Sequence, residues 1–135
     1  MDTDNDTRRR LILAVMASDG DPAAQALRAW ERLVEHLSPL IGEAGYCALY
    51  GRALQLVAPE YPWLTASQPR QAAPALLLNL RENLSSIDPV DAGKANIALL
   101  DAFSRLLSGL IGAALTTRFL HNAWADAPEG KRNAQ

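Results

Sequence analysis

Apolar residues recur at intervals of three and four along much of this chain, and this spacing indicates the class of fold. Residues 22–37 show it clearly, with Ala26, Trp30, Leu33 and Leu37 on one face of a predicted amphipathic helix. No segment alternates apolar and polar residues as a strand would, and no hairpin turn lies between apolar runs. The pattern therefore predicts an all-α protein.

Proline and glycine positions predict where the helices begin and end. In the first part of the chain we expect helices over residues 8–17, 22–37 and 39–57. Ser38 is a capping residue and Pro39 suits the first turn of a new helix, so we expect a sharp break between the second and third of these helices.

The second part of the chain follows the same rules. Residues 74–85 form one predicted helix. Asp88 is expected to cap the start of the next, whose first-turn proline is Pro89. This long helical stretch runs to about Trp124, with Gly93 as the candidate point of interruption.

A proline-rich stretch, PEYPWLTASQPRQAAP, separates these two parts. Its four prolines within residues 59–74 predict an irregular connection. With 135 residues the chain is long enough for one domain with its own core. We expect a single helical domain over 8–125, made of the halves 8–58 and 74–125 joined by the connection 59–73, with disordered tails at 1–7 and 126–135.

The two halves contain nearly identical octets, LSPLIGEA at 37–44 and LSGLIGAA at 107–114, which share six of eight residues. A similar turn sequence precedes each octet, SDGDP in one half and SSIDP in the other. We therefore predict an internal duplication, in which two related three-helix halves form a compact bundle of five or six helices. The paired glycines, Gly42 and Gly112, have three interpretations: points where another helix packs closely, a coincidence between leucine-rich helices, or a ligand site.

Charge and hydropathy argue against nucleic-acid and membrane partners. The formal net charge is only −2, which gives no global attraction to polyanions. The first apolar run follows three aspartates, unlike a secretory signal. Residues 97–115 are long enough to span a bilayer, but they contain Asp101 and Arg105, which are costly in hydrocarbon.

Cys47 is the single cysteine, which fits a reducing compartment, so we expect a cytoplasmic protein.

Residues suited to catalysis or to metal binding are few. His36 and His121 are the two histidines, and neither shares metal-ligand spacing with the other or with Cys47. The sequence contains no nucleophile elbow, phosphate-binding loop or dinucleotide fingerprint. We therefore expect no cofactor, no metal and no enzymatic activity.

The last helical stretch carries more apolar surface than one small bundle needs, which suggests burial against a second copy. Trp63, in the proline-rich connection, either fills the gap between the halves or contacts a partner. We expect a non-catalytic, regulatory protein of the adaptor type that acts through helix–helix contacts as a homodimer and binds a further protein. The alternative is a helical sensor or carrier for a small apolar ligand. The predicted interface or packing residues are Gly42, Gly112, Leu110, Ile111, Phe103, Leu107, Trp63 and Trp124.

Overall fold

The spacing of apolar residues is realised as helices packed against one another. The computed structural model describes residues 3–16, 22–64 and 73–125, and within these ranges the chain forms five α-helices and no strand. They are α1 (Thr3–Val15), α2 (Pro22–Val57), α3 (Ala73–Ser85), α4 (Pro89–Ile111) and α5 (Ala113–Ala125). The all-α prediction is confirmed. The tail 126–135, most of the predicted connection and most of the turn before Pro22 lie outside the described residues.

The helix α1 begins earlier than predicted. It starts at Thr3 rather than near Arg8, so residues 3–7, which were expected to form part of a disordered tail, belong to a helix. The sequence places aspartates at positions 4 and 6, close to the start of the helix. Acidic residues there favour helix formation because they interact with the positive end of the helix dipole.

Two glycines interrupt the helical path. Gly42 has φ 80° and ψ 161° inside α2, and Gly112 has φ 98° and ψ 151° between α4 and α5. This conformation is almost exclusive to glycine, because a Cβ atom would be strained there. Each is the glycine of the LIG sequence in one octet, so the repeated sequence carries the same bend twice.

The predicted break at Ser38-Pro39 is wrong, because Pro39 lies inside α2, three residues before the bend. The fixed φ of proline is itself helical, so the chain continues through it with the loss of one hydrogen-bond donor. Similarly, α4 runs through Gly93 and ends only at Ile111. Gly112 therefore divides the long helical stretch that was expected to reach Trp124.

The bend at Gly112 also divides the apolar stretch 97–115 between α4 and α5. In the part of the chain that the structure describes, no helix combines the length and the apolar character that crossing a membrane requires.

An aromatic cluster joins α2 to α4 at the centre of the core. Trp30 is fully buried and meets Tyr50 and Phe103 edge-on, at centroid distances of 5.1 and 5.2 Å. Tyr46 stacks on Tyr50 at 6.1 Å. Because α2 contributes three of these rings and α4 the fourth, the cluster holds together the two halves of the chain.

The helix α1 packs against α4 and α5, which lie at the other end of the sequence. Ile12 and Val15 bury its apolar side in the core. The guanidinium of Arg8, almost completely buried, forms an ion pair with Asp101 of α4 at 3.9 Å, and Arg105 contacts the same carboxylate at 3.1 Å. These ionic contacts fix α1 against α4, while the packing of α1 against α5 forms the surface between those two helices.

Buried positions in α2 recur in α4 and α5 at the same offset as the repeated octet. The correspondence extends on both sides of each glycine, so each bent unit turns equivalent positions towards the core. The buried pairs are Gln25 and Ala95, Ala26 and Asn96, Ala29 and Leu99, Trp30 and Leu100, Leu33 and Phe103, Leu37 and Leu107, Tyr46 and Thr116, Tyr50 and Leu120, Ala53 and Ala123, and Leu54 and Trp124.

Candidate functional site

Three of the predicted interface or packing residues lie inside the bundle. Phe103 and Leu107 have no exposed surface, and Trp124 is 5% exposed. The indole Nε1 of Trp124 donates a hydrogen bond to the carbonyl oxygen of Ala29 at 3.1 Å, which ties α5 to α2. The apolar stripe of the last helices is therefore largely buried by packing within one chain.

The glycines do not mark a close approach of another helix within the chain. A Cβ atom built on Gly42 or Gly112 would meet no described residue within 4 Å, apart from its own neighbours along the helix. The interpretation of these residues as close-packing points between the halves is therefore wrong, and their positive φ explains why glycine is present. Next to Gly112, Leu110 is 61% exposed and Ile111 is half-buried.

Trp63 is half-buried on the turn that follows α2. Its ring meets that of Tyr61 edge-on, with 6.1 Å between centroids, and both rings pack against the core. This location favours the prediction that Trp63 fills a gap, although part of the ring stays accessible.

A concave surface lies between α1 and α5, and we call it the α1/α5 groove. It is an open groove with a volume of about 940 Å³. On each helix the first and last lining residues are seven residues apart, which corresponds to roughly 10 Å along the axis. They are Thr7, Arg10, Leu11 and Ala14 from α1, and Ala114, Leu115, Thr117, Arg118 and His121 from α5.

The bend at Gly112 directs α5 into this position. The Gly112 N–H donates to the carbonyl of Ser108 at 2.8 Å and so closes the last turn of α4. The Gly112 carbonyl accepts from the backbone N–H of Thr116 at 3.0 Å and from its hydroxyl at 2.8 Å, which opens α5. Leu120 and Ala123 then face the core, so the remaining face of α5 is left to line the groove.

The α1/α5 groove combines an apolar surface with positive charge. Leu11 and Leu115, with two alanines, supply aliphatic surface. Arg10, Arg118 and His121 supply hydrogen-bond donors, and no carboxylate is among the described residues that line the groove. The arrangement suits an elongated apolar molecule with an acceptor group at one end.

The sequence places Arg118 and His121 three residues apart, but it does not connect them with α1. The signal was present in the spacing of Thr7, Arg10, Leu11 and Ala14, which follow one another at helical intervals on one face. What the spacing does not reveal is that this face of α1 lies beside α5, because that depends on tertiary packing.

A second groove lies between α2 and α3 and has a volume of about 440 Å³. Leu27, Val34 and Leu77 are among its apolar residues, but its charged residues have both signs. It is therefore smaller than the α1/α5 groove and electrostatically mixed.

The contacts of His36 and Cys47, which were considered for catalysis, are those of residues with a structural role. The Nδ1 atom of His36 lies 3.0 Å from the carbonyl oxygen of Arg32, one turn earlier in α2. Burial raises the pKa of the Cys47 thiol, and the nearby carboxylate of Glu43 raises it further, so the reactive thiolate is disfavoured. Among the residues that the structure describes, no three His, Cys, Asp or Glu side chains gather where they could hold a metal ion.

Comparison of the chain with protein-family models, with curated proteins and with solved structures finds no match. Its function is therefore inferred from the geometry and chemistry of its own surface, and above all from the α1/α5 groove.

Proposed function

We propose that this protein is a non-catalytic sensor or carrier that binds a small apolar ligand in the α1/α5 groove. The supporting observation is the groove itself, a concavity of about 940 Å³ with aliphatic side chains from two helices. Ligand sites are typically concave and mostly apolar, with a few polar groups that fix orientation, and they often lie between the helices of a bundle.

The homodimeric adaptor is the second candidate. Its main support was the apolar stripe of the last helices, but Phe103, Leu107 and Trp124 are used inside the bundle. Leu110 keeps 61% of its surface exposed, and Leu40, at the corresponding place before the other bend, keeps 51%. Single exposed leucines are common on soluble proteins, so this surface supports an interface less strongly than the groove supports a ligand.

We further propose that the two bent units, 22–57 and 89–125, arose by duplication. Both contain the LIG octet, both bend at its glycine, and equivalent positions are buried in each. Replacing Pro39→Gly and Glu43→Ala converts the first octet into the second. If the units are equivalent, the double variant keeps the helical circular dichroism spectrum and the oligomeric state of the wild type; loss of the fold would contradict the proposal.

We also place the protein in the cytoplasm. A chain with one cysteine, here the half-buried Cys47, gains no intrachain disulfide from an oxidising compartment. Cell fractionation with an antibody to the tagged full chain tests this location, and recovery in an exported fraction would contradict it.

The ligand proposal is tested with an uncharged alkyl probe and a variant that blocks the groove. Ala14→Trp fills the groove, whereas Ala48→Trp adds the same ring at another exposed helical position outside it. A probe at about ten times its Kd stabilises a binding protein by about 1.4 kcal/mol, which raises Tm by several degrees. We expect 1-dodecanol to raise Tm in the wild type and in Ala48→Trp, and not in Ala14→Trp.

Native mass spectrometry of protein purified without added ligand separates the two candidates. A monomer that carries a removable small-molecule mass supports the sensor or carrier. A doubled mass, together with no effect of 1-dodecanol on Tm, would overturn the ligand proposal in favour of the homodimeric adaptor.

A further inference from the structure

We propose that the ligand of the α1/α5 groove is an anionic amphiphile, a single alkyl chain that ends in a carboxylate, with Arg10 and Arg118 binding the carboxylate. This inference rests on the proposed function, because it identifies the chemical class of the molecule that the groove takes. It goes beyond that function by assigning the charged residues a role in recognising the head group.

The two arginines differ from Arg8 of α1 and Arg105 of α4, which are both paired with an acid. Arg8 and Arg105 both contact the carboxylate of Asp101, at 3.9 and 3.1 Å. Arg10 and Arg118 form no ion pair with any residue that the structure describes, although they lie on opposite sides of one groove. Two guanidinium groups therefore line the same open space with no acid among the described lining residues, and Asp6, one turn before Arg10 on α1, lies outside that lining.

Guanidinium groups favour a carboxylate as the occupant. The planar N–H donors of arginine match the two oxygens of a carboxylate, which gives paired, charge-assisted hydrogen bonds. His121 lines the same groove and adds a third nitrogen-bearing side chain next to Arg118 in the helix. A neutral head group would gain less from these donors, and a cation would be repelled.

The apolar part of the groove sets the shape of the tail. Ala14, Ala114, Leu11 and Leu115 supply the aliphatic lining against which an alkyl chain can lie. The lining covers two helical turns, roughly 10 Å, which suits a single flexible chain. Each methylene that enters the groove should strengthen binding by about two- to fourfold.

The groove between α2 and α3 supports this assignment by contrast. Glu31 and Glu35 line it together with Arg81, so an incoming carboxylate meets like charges there. An anionic amphiphile is therefore expected to select the α1/α5 groove over the second groove.

The test compares three probes with the same twelve-carbon tail at pH 8: dodecanoate and dodecyltrimethylammonium, each titrated below its micelle concentration, and 1-dodecanol, titrated below its solubility limit. Binding to the full chain is measured by calorimetry and by the shift in Tm. We expect dodecanoate to bind about tenfold more tightly than 1-dodecanol, which corresponds to two partly exposed ion pairs. Dodecyltrimethylammonium should bind more weakly than either.

Variants that remove charge test whether Arg10 and Arg118 are the residues that bind the carboxylate. Arg10→Gln with Arg118→Gln should reduce dodecanoate binding about tenfold, to the level of 1-dodecanol, and leave 1-dodecanol binding unchanged. The matched control, Arg9→Gln with Arg28→Gln, removes the same charge from exposed arginines outside the groove and should leave dodecanoate binding within about twofold of the wild type.

The outcomes separate this inference from the proposed function. If dodecanoate and 1-dodecanol bind equally in the wild type, and Ala14→Trp blocks both, the groove is a ligand site but the carboxylate assignment is overturned. If neither probe binds, or if Ala14→Trp leaves binding unchanged, the proposed function fails as well. Because the probe comparison uses the wild-type chain, its result does not depend on how the variants fold.

Discussion

The bends at Gly42 and Gly112 lead to the sharpest prediction about stability. Both glycines have positive φ and ψ near 150–160°, a region that other residues rarely occupy. A Cβ atom added at either position would meet no neighbour within 4 Å. Substitution by alanine therefore strains the backbone without causing a steric clash elsewhere, so the effect isolates the conformation of a single residue.

The expected change in the free energy of unfolding is the difference between two opposing contributions. Holding alanine in this region costs about 1–3 kcal/mol, whereas the reduced freedom of the unfolded chain returns about 0.4–1 kcal/mol. We expect Gly42→Ala and Gly112→Ala each to lower the free energy of unfolding by about 1–2 kcal/mol. With a urea m value of about 1–3 kcal/mol/M, the unfolding midpoint should fall by roughly 1 M.

Gly109→Ala is the matched control. Gly109 lies inside α4, three residues before Gly112, and a Cβ atom there also meets nothing within 4 Å. Because alanine is the better helix former, this change should stabilise the protein by about 0.5–1 kcal/mol. Urea unfolding followed by circular dichroism measures all three variants. If Gly42→Ala and Gly112→Ala are as stable as Gly109→Ala, the fold does not require the bends at Gly42 and Gly112, and a straight helix is tolerated there.

Other predictions concern the core and the start of α4. Tyr46→Phe removes a buried hydroxyl that has no hydrogen-bond partner in the described structure, so it should stabilise by about 1 kcal/mol in urea unfolding; a loss would reveal a bound water. Asn96→Ala deprives the Trp30 indole N–H of its acceptor at 2.8 Å and should destabilise by about 2–4 kcal/mol in the same assay; a loss below about 1 kcal/mol would contradict this. Asp88→Ala removes the side chain that accepts from the Val90 N–H and should lower Tm through a loss of about 1 kcal/mol, with an unchanged Tm counting against the cap. Burial raises the pKa of Tyr46 and Tyr50 above the ordinary 10.0, so their contribution to stability is complete below pH 10 and is lost as the pH rises above it, more steeply in the wild type than in Tyr46→Phe; urea titrations from pH 9 to 11 that show no such difference would refute the reasoning.

Local sequence signals predicted the helices well where a capping residue and a proline coincide. Asp88 caps α4 and Pro89 follows in its first turn, as expected. The same signal failed at Ser38-Pro39, where α2 continues. Proline is compatible with a helix that already has the right φ, whereas the bend requires the positive φ that Gly42 alone in that octet can adopt without strain.

The groove was less predictable than the helices, because its residues come from opposite ends of the sequence. The intervals between Thr7, Arg10 and Ala14 indicate one helical face, but they do not identify the neighbouring helix. The ion pair between Arg8 and Asp101 ties α1 to α4, and α1 also packs against α5. Both are long-range interactions, so periodicity within a short window carries no record of them.

The packing of α1 against α4 and α5 has a consequence for the order of assembly. Protein synthesis proceeds from the N-terminus, so α1 leaves the ribosome before either of the helices that bury it has been made. A helix of this length is marginal on its own in water, and α1 must wait for the residues around Asp101 and for α5 before it can dock. The α1/α5 groove therefore needs α5, and a nascent chain that stops before Gly112 has only one of its two walls.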